Sequence, residues 1–378
     1  MAEIKGTCED TFKGVSDVLA ANIDRGVDVG ASVAVTVGGE LVVDIWGGHV
    51  DEARTQPWER DTITNVWSTT KTMTALCALI LADAGELEVD RPVAQYWPEF
   101  AAAGKKRVLV RHLLGHTSGL PGWSEPITVD DLYDWEKATS LLAAQEPWWE
   151  PGTASGYHAV TQGFLVGEVI RRVTGQTLGT FFREQVTEPF GADFHIGLDP
   201  GQFDRVAKVI PPPPISEAFI AEASEMALRT LTNPMLTAET SWTEPWRRAE
   251  IPAANGHGNA RSVASIQAAL ANGGELGGKR LLSATGVERV LEEQSYGKDH
   301  VLGIPIRFGL GFGLPSPEMP ISPSGRACYW GGWGGSVILV DMDAHMTFAY
   351  MMNKMGDGLV GDDRGFGLAI AVYEALSH

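Results

Sequence analysis

The chain has 378 residues, 44% of them hydrophobic and 20% charged, which is the composition of a globular protein with a large core. Its 48 acidic residues outnumber the 29 basic ones and give a formal net charge of −19. So acidic a surface repels phosphate backbones and anionic lipid headgroups, so neither nucleic acid nor a membrane is an expected partner.

The three cysteines, Cys8, Cys77 and Cys328, are far apart and odd in number. They predict neither a disulfide framework nor a paired-cysteine metal site. The N-terminus lacks a basic flank followed by an apolar run, and no stretch approaches the roughly 18 apolar residues of a membrane helix. The expected location is therefore the cytoplasm, and a homodimer stays open as an assembly.

The first predicted elements are a helix over about residues 9–22 and a β-hairpin. Two β-rich runs, Ala31–Val37 and Glu40–Trp46, flank a pair of glycines, which is a hairpin pattern. Thr69–Ala84 is apolar on nearly every face and predicts a buried helix of about four turns.

The rest of the chain changes from helical to β-like patterns. Residues 211–254 are rich in Pro and Trp and poorly periodic. Further helices are predicted at Arg111–Leu114, Val129–Ala144, Ala159–Thr174, Leu178–Thr187, Ser262–Ala271 and Gly367–Leu376. Further strands are predicted at Gly335–Asp341 and Met346–Asn353.

Strands at both ends and helices between them predict an α/β protein of the α+β type. The two sets of strands would pair in one antiparallel sheet flanked by helices. Residues 1–65 and 255–378 would then form a discontinuous domain, into which a mainly helical domain of residues 66–254 is inserted. We expect the active site in the cleft between the two.

The strongest candidate for chemistry is Ser68-Thr69-Thr70-Lys71, at the start of the buried helix. Ser68 and Lys71 are i, i+3 neighbours on one helix face, and the helix N-terminus adds free N–H groups beside the hydroxyl. In one interpretation Ser68 is a nucleophile whose proton Lys71 helps to remove. In the other, Ser68 is a helix cap and Lys71 a surface residue. A second Ser-x-x-Lys pair, Ser295 and Lys298, lies in the polar run 292–300, which we expect to be a solvated loop.

Four motifs in order resemble those of the serine β-lactamase and penicillin-binding superfamily. They span most of the chain, from about residue 10 to 375, and the most similar subgroup is the family VIII carboxylesterases, which resemble class C β-lactamases. The motifs are Ser68-Thr69-Thr70-Lys71, the stretch 112–121, Tyr157-His158-Ala159 and Trp330-Gly331-Gly332.

The resemblance implies a serine β-lactamase-like fold and a role for each matching residue. The catalytic residues would be Ser68, Lys71 and Tyr157. The oxyanion hole would be formed by the backbone N–H groups of Ser68 and Trp333. The substrate would be bound by Trp330, Gly331, Gly332 and His158. We expect Tyr157 to act as a phenolate stabilised by the Lys71 ammonium, and we expect neither a metal nor another cofactor.

Two departures from the superfamily pattern favour an esterase. Trp330 stands where penicillin-recognising enzymes carry a lysine, and Ala159 stands in place of an asparagine. Both changes remove polar groups that hold β-lactams or peptides, and a small uncharged ester needs neither.

We therefore expect a serine esterase that hydrolyses short-chain acyl or aryl esters through an acyl-enzyme on Ser68. The alternatives within the superfamily are a β-lactamase, a D-aminopeptidase or DD-peptidase, and an acyltransferase. A catalytically silent binding protein is the alternative from another class. Seven tryptophans are candidates for the wall of an apolar pocket: Trp123, Trp148, Trp149, Trp242, Trp246, Trp330 and Trp333.

Other patterns carry less weight. His112 and His116 have metal-ligand spacing, but no acidic residue follows His112. Gly273–Lys279 is similar to a phosphate-binding loop but is followed by Arg280 where Ser or Thr is needed, so we predict a turn. The sequence predicts no particular role for the loop 255–259.

Overall fold

The computed structural model describes residues 1–214 and 223–377. Residues 215–222, within the segment predicted to be irregular, lie outside the described residues. The strands are β1 Ile4–Cys8, β2 Gly30–Val37, β3 Glu40–Gly48, β4 Thr64–Asn65, β5 Phe194–His195, β6 His257–Gly258, β7 Glu275–Leu276, β8 Lys279–Arg280, β9 Ser295–Lys298, β10 Pro305–Phe308, β11 Ala327–Gly331, β12 Val337–Asp341 and β13 Met346–Met352. The helices are α1 Lys13–Asp24, α2 Thr70–Asp83, α3 Val110–Leu114, α4 Trp135–Ala144, α5 Thr161–Thr174, α6 Leu178–Phe182, α7 Glu188–Phe190, α8 Glu225–Leu231, α9 Glu244–Arg248, α10 Ala260–Ala271, α11 Ala284–Glu288 and α12 Asp363–Leu376.

The central sheet is antiparallel and joins the two ends of the chain in the order β1-β3-β2-β13-β12-β11. Helices cover both of its faces. Thr347 of β13 donates a hydrogen bond to Ala264 of α10, whereas Tyr350, three residues further and so on the other face, packs near Arg364 of α12. Because both faces are covered, β12 and β13 are apolar at nearly every position instead of alternating. The predicted fold class is confirmed.

Helix α2 is the centre of the helical part of the molecule. Eleven of its fourteen residues are buried, which explains why its sequence is apolar all round, and it contacts α5 and α6. Strand β4 lies shortly before α2 in the chain, and the small sheet β4-β6-β5 ties its residues 64–65 to residues 257–258. Among the described helices, none is both long and apolar enough to cross a bilayer.

Most predicted elements are present, and the differences have local causes. The helix predicted over 129–144 is a 3₁₀ turn, Asp130–Tyr133, followed by α4, because Asp134 accepts a hydrogen bond from the Lys137 N–H and caps α4. The edge strand β1 and the hairpin β9–β10 were not predicted. The expectation of a solvated loop at residues 292–300 was wrong: Ser295–Lys298 pairs with Pro305–Phe308.

Candidate active site

Ser68 lies in a short 3₁₀ turn, Trp67–Thr69, that leads directly into α2. Trp67 has a left-handed backbone with φ of 49°, so the chain turns sharply just before the serine. The Thr70 hydroxyl donates to the Trp67 carbonyl over 2.5 Å and accepts the Gly256 N–H over 2.9 Å, which fixes this turn against the loop after residue 254. The Ser68 side chain makes no capping hydrogen bond, so Ser68 is not a helix cap.

Lys71 is buried beside Ser68. Its Nζ lies 3.1 Å from Ser68 Oγ, 2.7 Å from the Ala159 carbonyl and 2.9 Å from the Ala253 carbonyl. Lys71 is 1% exposed, and burial lowers the pKa of its amine well below the ordinary value. A neutral amine has two N–H donors and one lone pair; with the two carbonyls accepting the donors, the lone pair is left facing Ser68 Oγ. Lys71 is therefore placed as a base for the serine.

Tyr157 completes the group on the other side of Lys71. The centre of its ring lies 4.8 Å from Lys71 Nζ, and the Trp330 Nε1–H donates to its hydroxyl over 3.4 Å. Burial raises the pKa of the phenol well above its ordinary value, and hydrogen bonding to Ser68 and Trp330 offsets only part of this rise. The raised pKa contradicts the expected phenolate and favours a neutral Tyr157, which is placed to donate a proton.

The end of β11 lies against the nucleophile turn. A Cβ atom added to Gly332 would come within 2.4 Å of the Val66 carbonyl oxygen and 3.2 Å of the Ser68 nitrogen, so only glycine fits. Ser336 holds the two segments together, since its hydroxyl donates to the Val66 carbonyl over 2.8 Å and lies 2.9 Å from the Thr69 hydroxyl. The segment 332–333 is thus kept beside the backbone of Ser68.

Trp333 follows directly, and its backbone N–H finds no acceptor within residues 1–214 and 223–377. Its side chain is half-buried and packs edge-on against Trp67, with ring centres 5.0 Å apart. A free N–H beside Ser68 is what an oxyanion site requires, so the predicted pairing of Ser68 and Trp333 is compatible with this geometry.

Trp330, Gly331 and His158 were predicted to bind substrate, but all three are buried inside the protein. The Trp330 side chain is 1% exposed and packs behind the Tyr157 ring, and Gly331 is buried against Gly361. His158 is fully buried, with Nε2 2.6 Å from the Ser118 hydroxyl and Nδ1 2.6 Å from the Gly156 carbonyl oxygen. The expected contact between His158 and substrate is thus corrected: the ring supports the site from inside.

The sequence analysis missed Asp299, which holds the Tyr157 loop. Its buried Oδ1 accepts the N–H groups of Tyr157, Val301 and Leu302 over 2.9–3.0 Å. His300 adds an N–H bond to the Ser155 carbonyl. Asp299 lies in the polar run taken for a solvated loop, so no local signal distinguished it from a surface carboxylate.

Several weaker candidates lie away from this group. Ser295 and Lys298 lie on a strand, where side chains three residues apart point to opposite faces, so they do not form a Ser–Lys pair. The glycine-rich stretch forms the hairpin β7–β8, a turn as predicted. The two histidines with metal-ligand spacing form hydrogen bonds within the protein: His112 Nδ1 accepts one from the Leu109 N–H, and His116 Nδ1 accepts one from the His158 N–H.

The seven tryptophans divide into two groups. Near the site lie Trp149, Trp246, Trp330 and Trp333. Elsewhere, in the core or against a cation, lie Trp123, Trp148 and Trp242. The unpredicted Trp67 joins the first group because it packs against both Trp246 and Trp333.

Comparison with known proteins shows which family the chain is similar to. The sequence profile of the family described as Beta-lactamase matches residues 19–371. "Esterase/beta-lactamase LipL" of Mycobacterium tuberculosis is 36% identical over 361 residues, which cover 92% of this chain and 82% of LipL. A solved family VIII carboxylesterase is 44% identical with a TM-score of 0.93, over 99% of this chain and 100% of that one. A penicillin-binding protein homologue from Caulobacter crescentus is 39% identical, also with a TM-score of 0.93, over 99% and 100% of the two chains.

Proposed function

The chain belongs to the Beta-lactamase family, and we propose that it is a serine carboxylesterase that cleaves short-chain acyl or aryl esters through an acyl-enzyme on Ser68. The observation that carries the proposal is the buried Lys71 amine, 3.1 Å from the Ser68 hydroxyl and held by two backbone carbonyls. This contact also speaks against a catalytically silent binding protein, which would have no use for a desolvated lysine beside a serine. The names of LipL and of the family VIII carboxylesterase support ester hydrolysis.

Acylation begins with the proton of Ser68. The proton passes to Lys71 Nζ while Ser68 Oγ bonds to the ester carbonyl carbon. The carbonyl oxygen becomes an oxyanion and accepts hydrogen bonds from the N–H groups of Ser68 and Trp333. Removing one such donor typically costs about 3–4 kcal/mol of transition-state stabilisation.

Collapse of this intermediate expels the alcohol. Neutral Tyr157 donates its hydroxyl proton to the departing oxygen, and the Lys71 ammonium returns a proton to Tyr157. Ser68 is left as an ester of the acyl group. Water then attacks this ester with the same groups in the same roles, which releases the acid and restores the Ser68 hydroxyl.

The surroundings of Tyr157 favour an apolar, uncharged substrate. Tyr157, Trp330, Val301, Ile306 and Phe308 form one buried cluster. Partly buried apolar side chains pack against it: Ala159, Met226, Leu231, Leu302, Met319 and Val360. This cluster lies behind Tyr157 and offers no partner to a carboxylate, which favours an uncharged ester.

β-Lactam hydrolysis is the second candidate, because LipL carries both activities in its name. A parallel assay separates the two: p-nitrophenyl esters of increasing chain length beside a chromogenic cephalosporin, each with a Ser68→Ala control. The proposal expects Ser68-dependent turnover of the short esters well above that of the cephalosporin. Ester turnover no higher than in the Ser68→Ala control would refute it.

The proposal includes a division into two domains. Residues 1–65 and 255–378 form one domain and residues 66–254 the second, with substrate entering between them.

The proposed location is the cytoplasm. All three cysteines are free, and Cys77 and Cys328 are buried, which fits a reducing compartment. The homodimer stays a prediction, which light scattering after size exclusion tests.

A further inference from the structure

We propose that Arg364 is a positioning residue for the oxyanion hole: it fixes the turn that aims the Trp333 N–H at the reacting carbonyl. The inference rests on the proposed function. It starts from a single contact, the hydrogen bond that Arg364 Nη2 donates to the Gly334 carbonyl over 2.6 Å. That carbonyl is one residue after the proposed oxyanion donor.

The turn around Trp333 is built on Arg364. Gly334 and Gly335 both have left-handed φ values, of 88° and 130°. A Cβ atom on Gly335 would lie 2.5 Å from Arg364 Nη2 and 2.6 Å from Asp362 Oδ2, so the guanidinium occupies the space directly beneath the turn. The glycines let the backbone close onto a charged group, which is why the segment carries them.

Every N–H of Arg364 has an acceptor. Nε and Nη2 both donate to Asp362 Oδ2, and Nη1 donates to Asp28 Oδ1 and to the carbonyls of Val27 and Lys354. Asp28 is fully buried and also accepts a hydrogen bond from the Tyr350 hydroxyl over 2.6 Å. The guanidinium therefore cannot rotate away without breaking several charge-assisted hydrogen bonds, and it anchors the Gly334 carbonyl to the core.

The rigid anchor has a consequence for the reaction. An oxyanion donor stabilises the transition state only if it points at the oxygen before the charge develops. Of the backbone around Trp333, Gly332 is tied to Ser336, and Gly334 is tied to Gly356, Gly358 and Arg364. Loss of the Arg364 contact leaves Gly334 with only its backbone bonds to Gly356 and Gly358. The turn is then held less tightly, so the N–H of Trp333 is aimed less precisely while Ser68 and Lys71 stay in place.

The test compares Arg364→Lys with Tyr350→Phe. A lysine keeps one charge beside the two aspartates but cannot serve them and the Gly334 carbonyl together. Tyr350→Phe removes a hydrogen bond from the same buried network and leaves the Gly334 contact intact. Active sites are counted for each protein by the p-nitrophenol burst, so that kcat is expressed per active site, and KM is measured alongside. The inhibition constant of a trifluoromethyl ketone, which forms a tetrahedral oxyanion on the serine, is measured in parallel.

We expect Arg364→Lys to lower kcat per active site about tenfold, less than the loss of an entire donor, with KM within about twofold of wild type. The trifluoromethyl ketone should bind more weakly by a similar factor, and Tyr350→Phe should change neither quantity. If Arg364→Lys only reduces the number of active sites, with kcat per site and ketone affinity unchanged, Arg364 is merely structural and the inference is overturned. If Arg364→Lys yields no folded protein, Asp362→Asn, which weakens the ion pair that holds the guanidinium, must lower kcat per site and ketone affinity together. Failure of wild type to hydrolyse esters in a Ser68-dependent way would instead refute the proposed function.

Discussion

The Trp330 indole N–H donates to the Tyr157 hydroxyl oxygen over 3.4 Å, at the position where penicillin-recognising relatives carry a lysine. The indole leaves the hydroxyl proton free to point towards Ser68 and the leaving group. The ring is also uncharged, so this position supplies no cation for a substrate carboxylate. One residue thus contacts the proposed proton donor and brings no positive charge to the site.

Exchanging this residue for a cation should shift substrate preference. Trp330→Lys is expected to raise cephalosporin acylation relative to ester hydrolysis, even if both rates fall, because a buried β-lactam carboxylate without a partner costs at least a few kcal/mol. The ratio of the two kcat/KM values is the quantity to measure. Trp330→Phe, which keeps a ring and adds no charge, is the control and should leave the ratio unchanged. A ratio that moves towards esters in Trp330→Lys, or wild-type β-lactam turnover that rivals ester turnover, would contradict this assignment.

The two Ser-x-x-Lys pairs give a matched comparison. Lys71→Ala should lower kcat by several orders of magnitude with the fold intact, because it removes both the base and the group that holds Ser68. Ser295→Ala and Lys298→Ala should be near neutral, since both lie on the hairpin β9–β10 with side chains on opposite faces. Kinetics with p-nitrophenyl acetate, with circular dichroism as the fold control, decide the matter. If Ser295 proved essential and Ser68 dispensable, the assignment would be reversed.

The pH profile should report on the buried amine. Burial lowers the pKa of Lys71, so the neutral base is present above the lowered pKa and is lost as pH falls through it. The acid limb of kcat/KM should therefore lie well below about 10.4, the ordinary lysine pKa. Tyr157→Phe should lower kcat without moving that limb, because Tyr157 is neutral and its loss changes no charge near Lys71. An acid limb displaced by a full pH unit in Tyr157→Phe would mean that the tyrosine is ionised.

Asp299 should matter for stability and for the placement of Tyr157. Asp299→Ala leaves three buried N–H groups without an acceptor and should destabilise the protein by at least about 2–3 kcal/mol. Asp299→Asn keeps an oxygen at the same position and should cost clearly less. Urea unfolding measures both, and equal loss in the two variants would show that charge, rather than the three hydrogen bonds, is what counts.

Local patterns predicted the parts of the fold that local physics determines. The hairpin Ala31–Val37 with Glu40–Trp46 follows from two β-rich runs around two glycines, and α2 from an unbroken apolar stretch. Strand β1 escaped prediction because its partly exposed residues at the sheet edge lack strong alternation. The hairpin β9–β10 escaped because a polar sequence on an outer hairpin is similar to that of a loop.

The candidate site divides in the same way. Ser68 and Lys71 are one helical turn apart, so their contact could be predicted from spacing and from the buried helix around them. The contact of Lys71 with Tyr157 and that of Tyr157 with Trp330 join residues about 90 and 173 positions apart, and only the motif resemblance suggested these contacts. Contacts with no motif, such as Asp299 with the Tyr157 loop, could not be predicted.

The protonation of Tyr157 was predicted wrongly because the sequence suggested a neighbouring ammonium and did not reveal the depth of burial. In the folded protein, burial lowers the pKa of Lys71 and raises that of Tyr157, so the stabilising ammonium is itself disfavoured.

The covalent intermediate on Ser68 is the most direct test of the account. The enzyme is mixed with p-nitrophenyl acetate, quenched in acid within the burst, digested, and analysed by mass spectrometry, with Ser68→Ala and Ser295→Ala treated alike. We predict one acetyl group on the peptide that contains Ser68 in wild type and in Ser295→Ala, and none in Ser68→Ala. Ester turnover that persists in Ser68→Ala, or an acetyl group carried by another residue during the burst, would contradict the account.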